Sequence, residues 1–477
     1  MPIDTRHKDY KESAPIWQRC RDVVAGEDAV KAGKEKYLPK LEGQSDDEYK
    51  AYLARGLFYN ATSRTIQGTS GAIFRKPTLV EPENPYVEES AQNIVDEILE
   101  TGRFGLLVDL PADGGEPYFV GYKAEQIINW RYETIGDEQV LTMVVLEEVY
   151  EEADPEDPYV LVEKVRYREL LLNEDAIYQQ VVHNKVVDDK GKESFQVDPP
   201  IIPTVKGEPL SEIQFIFFGA TELSADVDKP PLLDLVNANL SHYRTSCDLE
   251  HGRHFTALPT AWVAGFPKES TLRIGAGTAW VTENVNAKAG FLEFTGQGLG
   301  ALDTAMTEKK ELMASLGARL FANSKGGVEA AETVRLRQSA DTATASSIAN
   351  LVSKGLTKAY QMYLAFQRTQ EGTTAVVQIN TDVLDATMSA DDAIKLVSLW
   401  QQRGISRHTL LWNLKQGEIL PPDQTLELEA AMIDVEQGTF VGLPDSDNPF
   451  VQQVMNLIKQ GVSPMVTETN EEEDIDG

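Results

Sequence analysis

The sequence is poor in cysteine, in long apolar runs and in positive charge. Its two cysteines, Cys20 and Cys247, cannot staple 477 residues together, so we expect free thiols in a reducing compartment. The longest strongly apolar run, near 215–219, falls far short of the ~20 residues that span a bilayer. The polar stretch 1–13 lacks the apolar core of a signal peptide. These absences predict a soluble protein that is intracellular when made and has no membrane partner.

The charge balance is strongly acidic. Lysine and arginine number 44 against 76 aspartates and glutamates, which leaves a net charge of −32. A surface built to wrap duplex DNA or to lie on anionic lipid needs a net positive face, so the composition argues against both. The length allows two or three hydrophobic cores at about 100–200 residues per domain.

Signatures of nucleotide-dependent or nucleophilic enzymes are also missing. A P-loop needs Gly-Lys followed by Ser or Thr, but the pairs Gly33-Lys34 and Gly191-Lys192 are both followed by Glu. The sequence contains no Gly-x-Ser-x-Gly elbow and no clear Cys/His nucleophile pair. We therefore predict no catalytic residues and no cofactor.

Two motifs could be ligand-binding sites, but a structural role is favoured for both. His251 and His254 lie one helical turn apart, as a metal pair requires, but no third ligand is evident, so a helix-surface or intersubunit role is favoured. The glycines of 296–300 precede a predicted helix and could hold a phosphate. The surrounding pattern is not βαβ, however, and tight turns are the favoured reading.

The apolar spacing divides the first 230 residues into a helical and a strand-rich part. Spacings of three and four residues predict helices over 46–66 and 86–101. Short apolar runs between turn residues then predict strands at 106–108, 141–149, 159–165, 176–182 and 213–218. Seven carboxylates within 147–158 predict a solvated loop, because like charges repel and the pattern of a calcium-binding loop is absent.

The next part of the chain is predicted to contain, in order, a helix, a small β-rich insert, a second helix, a glycine loop and a long helix. Two amphipathic helices joined by a small module form a narrow hairpin whose apolar stripes stay half-buried until copies pack around an axis and close a tube. The stripes predicted to meet between subunits are Leu232, Val236, Leu240 and Tyr243 on one helix and Leu302, Met306, Met313 and Leu316 on the other. Helices at 390–402, 406–416 and 425–436 follow, and an acidic tail ends the chain.

A small basic island interrupts the acidic sequence. It consists of Lys309, Lys310, Arg319, Lys325, Arg335 and Arg337. These cations could form salt bridges along helix faces, or they could make a thin ring that meets a phosphate backbone. On the second reading, Lys325 beside the glycine pair 326–327 would lie at the constriction of a channel.

Diffuse motifs over nearly the whole chain resemble the portal proteins (head-to-tail connectors) of tailed bacteriophages. They are Tyr37-Leu-Pro-Lys40, Tyr59-Asn60-Ala-Thr62, Gly71-Ala-Ile-Phe74-Arg-Lys-Pro77, Gly105-Leu-Leu-Val-Asp109, Glu250-His-Gly252 with Pro259, Leu292-Glu293-Phe294-Thr295-Gly296, Gly317-Ala-Arg319, and the run from Ser389 through Gly404-Ile-Ser406 to Leu420-Pro-Pro-Asp423. They consist of apolar, glycine and proline positions and include no catalytic signature.

The resemblance implies a mainly helical α+β fold. A portal-type subunit has an α/β wing, a two-helix stem, a small β-rich clip, a long tunnel helix and a helical crown. Placed on this sequence, these are the wing 1–229, stem helices 230–256 and 300–321, clip 257–299, tunnel loop and helix 322–367, C-terminal wing or crown 368–466, and an acidic disordered tail 467–477.

The resemblance also implies a function. Portals form a ring, typically a dodecamer, at one capsid vertex, through which a separate terminase motor packages double-stranded DNA without sequence specificity. They retain and eject the genome and attach the tail. The implied partners are other copies of the chain, the terminase large subunit, a head–tail adaptor, and the major capsid and scaffolding proteins. The implied location is the virion, with assembly in the host cytoplasm.

Three apolar residues of the clip, Trp262, Phe266 and Trp280, would then mediate intersubunit pairing or dock the motor and adaptor, or form the clip core. Twelve copies at −32 each would give an acidic ring whose wall repels DNA and lets it slide. The alternative interpretations are another virion structural protein, such as a head–tail adaptor or capsid component, and a metal-dependent enzyme using His251 and His254.

Overall fold

The computed structural model places the described residues in two compact units, Met1–Val383 and Leu384–Gly477. The architecture is α+β with more helix than strand, as the sequence predicts. The described residues are 2–111, 115–154, 157–187, 191–257, 260–267, 272–273, 280–292, 296–317, 331–367, 374–381, 388, 390–417, 419–421 and 426–436.

The first unit begins with helices. They are α1 (Lys8–Ala25), α2 (Glu27–Ala32), α3 (Asp46–Arg55), α4 (Ala61–Ile73) and α5 (Pro85–Thr101), with a short 3₁₀ turn at Lys34–Lys36. Local sequence fixes their starts: Ser45 and Glu48 form a capping box at α3, and Asn60 caps α4. Helix α5 confirms the predicted helix 86–101.

The predicted helix 46–66 is wrong as one piece, because the chain leaves α3 at Gly56 and restarts at α4. Gly56 lies against a later helix, and a Cβ atom there would come within 2.1 Å of the Cys247 sulfur. Only glycine allows this close approach. The break therefore coincides with a tertiary contact that apolar spacing along the chain cannot show.

Fourteen strands lie among the described residues and form five antiparallel sheets. They are β1 (Leu79–Glu81), β2 (Arg103–Asp109), β3 (Tyr118–Lys123), β4 (Ile127–Ile135), β5 (Glu138–Ala153), β6 (Leu161–Leu172), β7 (Tyr178–Val187), β8 (Glu193–Val197), β9 (Thr204–Val205), β10 (Glu208–Pro209), β11 (Phe215–Gly219), β12 (Thr260–Ala264), β13 (Lys288–Leu292) and β14 (Val376–Gln378). The largest sheet has the order β4-β5-β6-β7-β8, and β11-β2-β3 forms a smaller one.

The acidic stretch predicted to be a loop is largely strand. Residues 147–153 pair with β6, and Glu148 accepts hydrogen bonds from Arg166 Nε at 2.5 Å and Arg168 Nε at 2.7 Å. Burial raises the pKa of the Glu148 carboxyl, but the hydrogen bond and charge of Arg168 outweigh it and hold that pKa below its usual value. Cationic cross-strand partners allow an acid-rich sequence to form a sheet.

A long helix completes the core of the first unit. In α8 (Ala331–Phe366), the half from Ala345 onward packs with α5, β2 and β11 in one hydrophobic cluster. Gly355 lets the helix approach the sheet, because a Cβ atom there would lie 2.2 Å from the Phe218 ring.

The second unit contains α9 (Ala390–Gln401), α10 (Arg407–Gln416) and α11 (Leu426–Glu436). These bounds confirm the three C-terminal helices predicted from the sequence. The predicted acidic tail 467–477 lies outside the described residues.

Candidate functional site

The candidate site is a helical hairpin formed by α6 (Leu233–Ala257) and α7 (Gln297–Ser315), with the β12–β13 pair at its tip. The helices run antiparallel. Near the tip, Arg253 Nη2 lies 3.4 Å from Asp303 Oδ1. In the middle, Lys309 Nζ donates to the Ser241 carbonyl at 3.2 Å, and at the base Met313 shares a buried cluster with Leu235.

Burial decreases along the hairpin from base to tip. The first two-thirds of α6 is mostly buried, whereas Phe255 at its end is 47% exposed. In the β12–β13 pair, Trp262 and Phe291 are 44% and 52% exposed. Large apolar side chains exposed together are typical of interaction surfaces, so the tip has the character of a contact region.

One of the two predicted intersubunit stripes is packed inside the chain. Val236, Leu240 and Tyr243 share a cluster with the N-terminal helices, and none is more than 3% exposed. Their apolar partners come from this same chain, so their place in an intersubunit contact must be corrected to a place in the core. Leu232 is half-buried against the neighbouring core.

The residues of the other stripe are buried at one end and only partly buried at the other. Met313 is 1% exposed and packs with Ala61, Leu235 and Ala238, and Leu316 packs against the same cluster, so this end of the stripe is also intrachain core. Leu302 and Met306 are only half-buried. These two retain surface that a neighbouring subunit could cover.

The predicted basic residues have different environments. The Lys309 ammonium is held between the hairpin helices by Ser241 and by the Thr245 hydroxyl, so it joins α6 to α7. Lys310 is exposed. Arg335 and Arg337 lie in the early turns of α8, whereas Arg319 and Lys325 fall outside the described residues.

A buried histidine of α6 was not predicted from the sequence. His242 is 1% exposed, and neither ring nitrogen has a hydrogen-bond partner within the described part of the chain. Burial, together with the charges of Lys310 and Lys309, lowers the pKa of His242 to about 4. No local pattern marks this residue, because the lysines come from the opposite helix.

The three predicted clip residues are partly exposed. The Trp262 ring lies over Gly290, where a Cβ atom would be 3.0 Å from the indole nitrogen. Trp280 Nε1 donates to the Arg273 carbonyl at 2.8 Å. Phe266 lines an open pocket of about 710 Å³ together with Pro267 and Val281.

His251 and His254 are placed among aromatic side chains. His251 packs edge-on to Tyr52 at 5.1 Å and to Phe255 at 4.7 Å. Burial, followed by the charges of Arg55 and His254, lowers the pKa of His251. Among the residues that the structure describes, no group of three His, Cys, Asp or Glu side chains could hold a metal ion.

Two further features bear on the remaining motifs. Gly296 takes a left-handed conformation, φ 66°, at the start of α7, as the favoured tight-turn reading predicts. That reading is wrong for Gly298 and Gly300, which lie within α7. Within the described ranges, no helix has both the length and the apolarity needed to cross a bilayer.

The charge is unevenly distributed along the chain. Residues 231–367, from just before α6 to the end of α8, contain 13 lysines and arginines against 12 acidic residues, a net charge of +1. The remaining residues contain 31 against 64, a net charge of −33. The hairpin and long helix therefore form an almost neutral segment in an otherwise acidic protein.

The same segment matches a protein-family model. Residues 231–367 match the family described as "Domain of unknown function (DUF4055)". No curated protein shows a significant match to the chain.

Solved structures with similarity to this chain come from gene transfer agent particles. A chain from the "Neck of empty GTA particle computed with C6 symmetry" aligns at 12% identity and a TM-score of 0.36, over 77% of this chain and 93% of that one. A chain from the "Virion of native gene transfer agent (GTA) particle" aligns at 12% identity and 0.35, over 80% and 96%. A chain from the "Neck of native GTA particle computed with C12 symmetry" gives 12% and 0.36, over 74% and 89%.

Proposed function

We propose that this protein is a portal-type subunit of a tailed, phage-like particle. Copies form a ring, a dodecamer in the family it resembles, at one capsid vertex. A separate terminase threads double-stranded DNA through the ring, and a head–tail adaptor docks on it. The chain itself performs no chemistry in this role, and the ring resides in the virion after assembly in the host cytoplasm with capsid and scaffolding proteins.

The observation that carries the proposal is the decrease in burial along the α6–α7 hairpin. Its base is fixed in the hydrophobic core by Met313 and Leu235, and its tip exposes Phe255, Trp262 and Phe291. A stem anchored at one end, with apolar side chains exposed at the other, suits a subunit whose free end contacts a partner.

The charge distribution also supports a DNA conduit. Each phosphate that a protein neutralises adds salt-dependent affinity, so a wall rich in cations would hold DNA instead of letting it slide. A wall formed by residues 231–367, with 13 basic against 12 acidic residues, neither binds a polyanion tightly nor repels it strongly. The acidic remainder would keep DNA away from other surfaces.

Electron microscopy of the purified full-length protein, combined with its native mass, tests the proposal. We expect annular particles with a central hole and a mass near a whole-number multiple of 52.8 kDa. A compact monomer at high protein concentration would refute the proposal. Closed shells or sheets without a channel would instead favour the alternative of another virion structural component.

A further inference from the structure

Two stretches of the chain carry charge of a single and opposite sign. Residues 132–163 contain eleven acidic residues and no lysine or arginine, whereas residues 49–80 contain five basic residues and no acidic one. The acidic stretch runs from β4 through β5 into β6, and the basic stretch covers most of α3 and all of α4. Charge separation of this kind favours contact between two different faces of neighbouring molecules.

The acidic face lies on one side of the β5–β6 ribbon. Alternate residues of a strand share a face, and this face is formed by the cross-strand pairs Val149–Val165, Glu151–Glu163 and Ala153–Leu161. Val149 and Leu161 are 53% and 59% exposed. Glu151 and Glu163 stand directly opposite each other, where like charges repel, and neither forms an ion pair within the described residues.

The opposite side of the same ribbon is internally neutralised. Lys164 pairs with Glu152, and the guanidinium of Arg166 binds Glu148 and lies 5.1 Å from the centre of the Tyr150 ring. The strands therefore supply cations to one face and leave the other acidic and apolar.

The basic face lies on α3, α4 and the connection between them. The Lys50 side chain is 75% exposed and pairs at 3.2 Å with Asp47, whose side chain is itself exposed, and exposed Arg64 lies 5.2 Å from the centre of the Tyr59 ring. Leu57 and Tyr59 are 61% and 40% exposed. The basic face thus combines cations with apolar surface, as the acidic face combines carboxylates with apolar surface.

The two faces belong to separately anchored parts of the chain. Strand β5 is anchored through Val144, Val145 and Leu146 in one hydrophobic cluster. Helix α3 is anchored through Tyr49 and Tyr52 in another. Each copy therefore carries two separate and complementary faces, as head-to-tail closure of a ring requires.

We propose that the Val149–Glu151–Leu161–Glu163 face of one copy packs against the Lys50–Leu57–Tyr59–Arg64 face of the next copy in the ring. This inference rests on the proposed ring function and identifies one of its subunit contacts. Glu151 and Glu163 gain cationic partners that relieve their mutual repulsion, and the exposed aliphatic and aromatic side chains are covered.

Charge reversal tests the contact. We expect E151K/E163K and K50E/R64E each to weaken ring formation by about tenfold or more at low salt. An equimolar mixture of the two variants should restore rings of alternating copies, because each altered face then meets its complement. The control E174K/E208K makes the same charge change at exposed positions outside both faces and should assemble like the wild type.

Native mass and sedimentation measure the ring fraction, and circular dichroism establishes that each variant is folded. Normal assembly of E151K/E163K, or failure of the mixture to restore rings when both variants are folded, would overturn the contact while the wild-type ring stands. Absence of rings from the wild-type protein would instead refute the proposed function and this contact with it.

Discussion

The segment 231–367 and the rest of the chain differ most in charge. The segment carries a net charge of +1 and the remainder −33. The overall net charge of −32 therefore comes from residues outside the segment that contains the α6–α7 hairpin. The expectation that an acidic wall repels DNA came from the whole-chain value. The distribution favours a nearly neutral wall with acid outside it, in which DNA slides because it is held weakly.

The two regions also differ in how completely their apolar residues are buried within one chain. Outside the segment, the hydrophobic cluster that joins α1 to the β-sheets is closed within one chain. In the hairpin, burial is complete at the base and incomplete toward Leu302 and Met306. A neighbouring copy can cover the apolar surface that the single chain leaves exposed there.

The largest expected effect is loss of the ring in L302E/M306E. Both side chains are half-buried in the single chain, so we expect the subunit to fold, but two buried charges at a subunit contact should prevent association. Native mass should show monomers with wild-type circular dichroism. The control T304E/T307E adds the same charges at exposed positions of α7, and rings of normal size from L302E/M306E would contradict the role of this stripe.

At the base of the hairpin, a substitution in α7 should lower folding stability and not only ring assembly. We expect M313A to lower the free energy of unfolding by about 2–5 kcal/mol, because Met313 is 1% exposed among Ala61, Leu235 and Ala238. Urea unfolding measures this value. M306A is the matched control and should cost less than half as much, so equal losses would argue against a burial gradient along α7.

The third prediction is that folding stability depends on pH through His242. The unfolded-state pKa of histidine is about 6.5, while burial and the nearby lysines lower the pKa of His242 to about 4. The unfolded state therefore binds a proton more readily, and the unfolding free energy should fall by about 3 kcal/mol as the pH drops from 6.5 to 4.

Unfolding of H242L at several pH values checks this assignment. The variant should lose most of the decrease above pH 4, whereas H408L, which alters an exposed histidine of α10, should retain it. From about pH 4.5 downward the carboxyl of Glu148 also contributes to acid sensitivity, because its lowered pKa stabilises the β5–β6 pair until it is protonated. A decrease between pH 6.5 and 4 that is unchanged in H242L would contradict the burial of a neutral imidazole between α6 and α7.

The smallest expected effect concerns Lys325. If this lysine lies at the constriction, K325E should reduce DNA packaging or retention several-fold and leave ring assembly intact, because one phosphate contact per copy is lost. K354E is the matched control, since Lys354 is an exposed residue in the half of α8 that packs with α5, β2 and β11. Normal packaging by K325E would count against the position given to Lys325.

Local sequence patterns predicted much of the secondary structure. Helix α5 and helices α9–α11 agree with their predicted ranges, because caps and apolar spacing are local signals. The break at Gly56 was not predictable from apolar spacing, which does not show the close approach of this residue to Cys247. The acidic end of β5 was misassigned because Arg166 and Arg168, which neutralise Glu148, come from the neighbouring strand.

The candidate site was predictable in outline but not in its packing. The helix, insert, helix and long-helix order is present in the sequence and in the structure. Periodicity identified Val236, Leu240 and Tyr243 as buried but could not say which chain buries them, and they pack with the chain's own N-terminal helices. The environment of His242 was hidden for a similar reason, because Lys309 and Lys310 reach it from the other helix.

The most direct test is an electron cryo-microscopy map of the assembled protein that resolves its helices. We predict that α6 and α7 of every copy surround the central hole and that the β4–β8 sheet lies away from it. A map with the acidic sheet facing the hole, or with no closed ring, would contradict the proposed function.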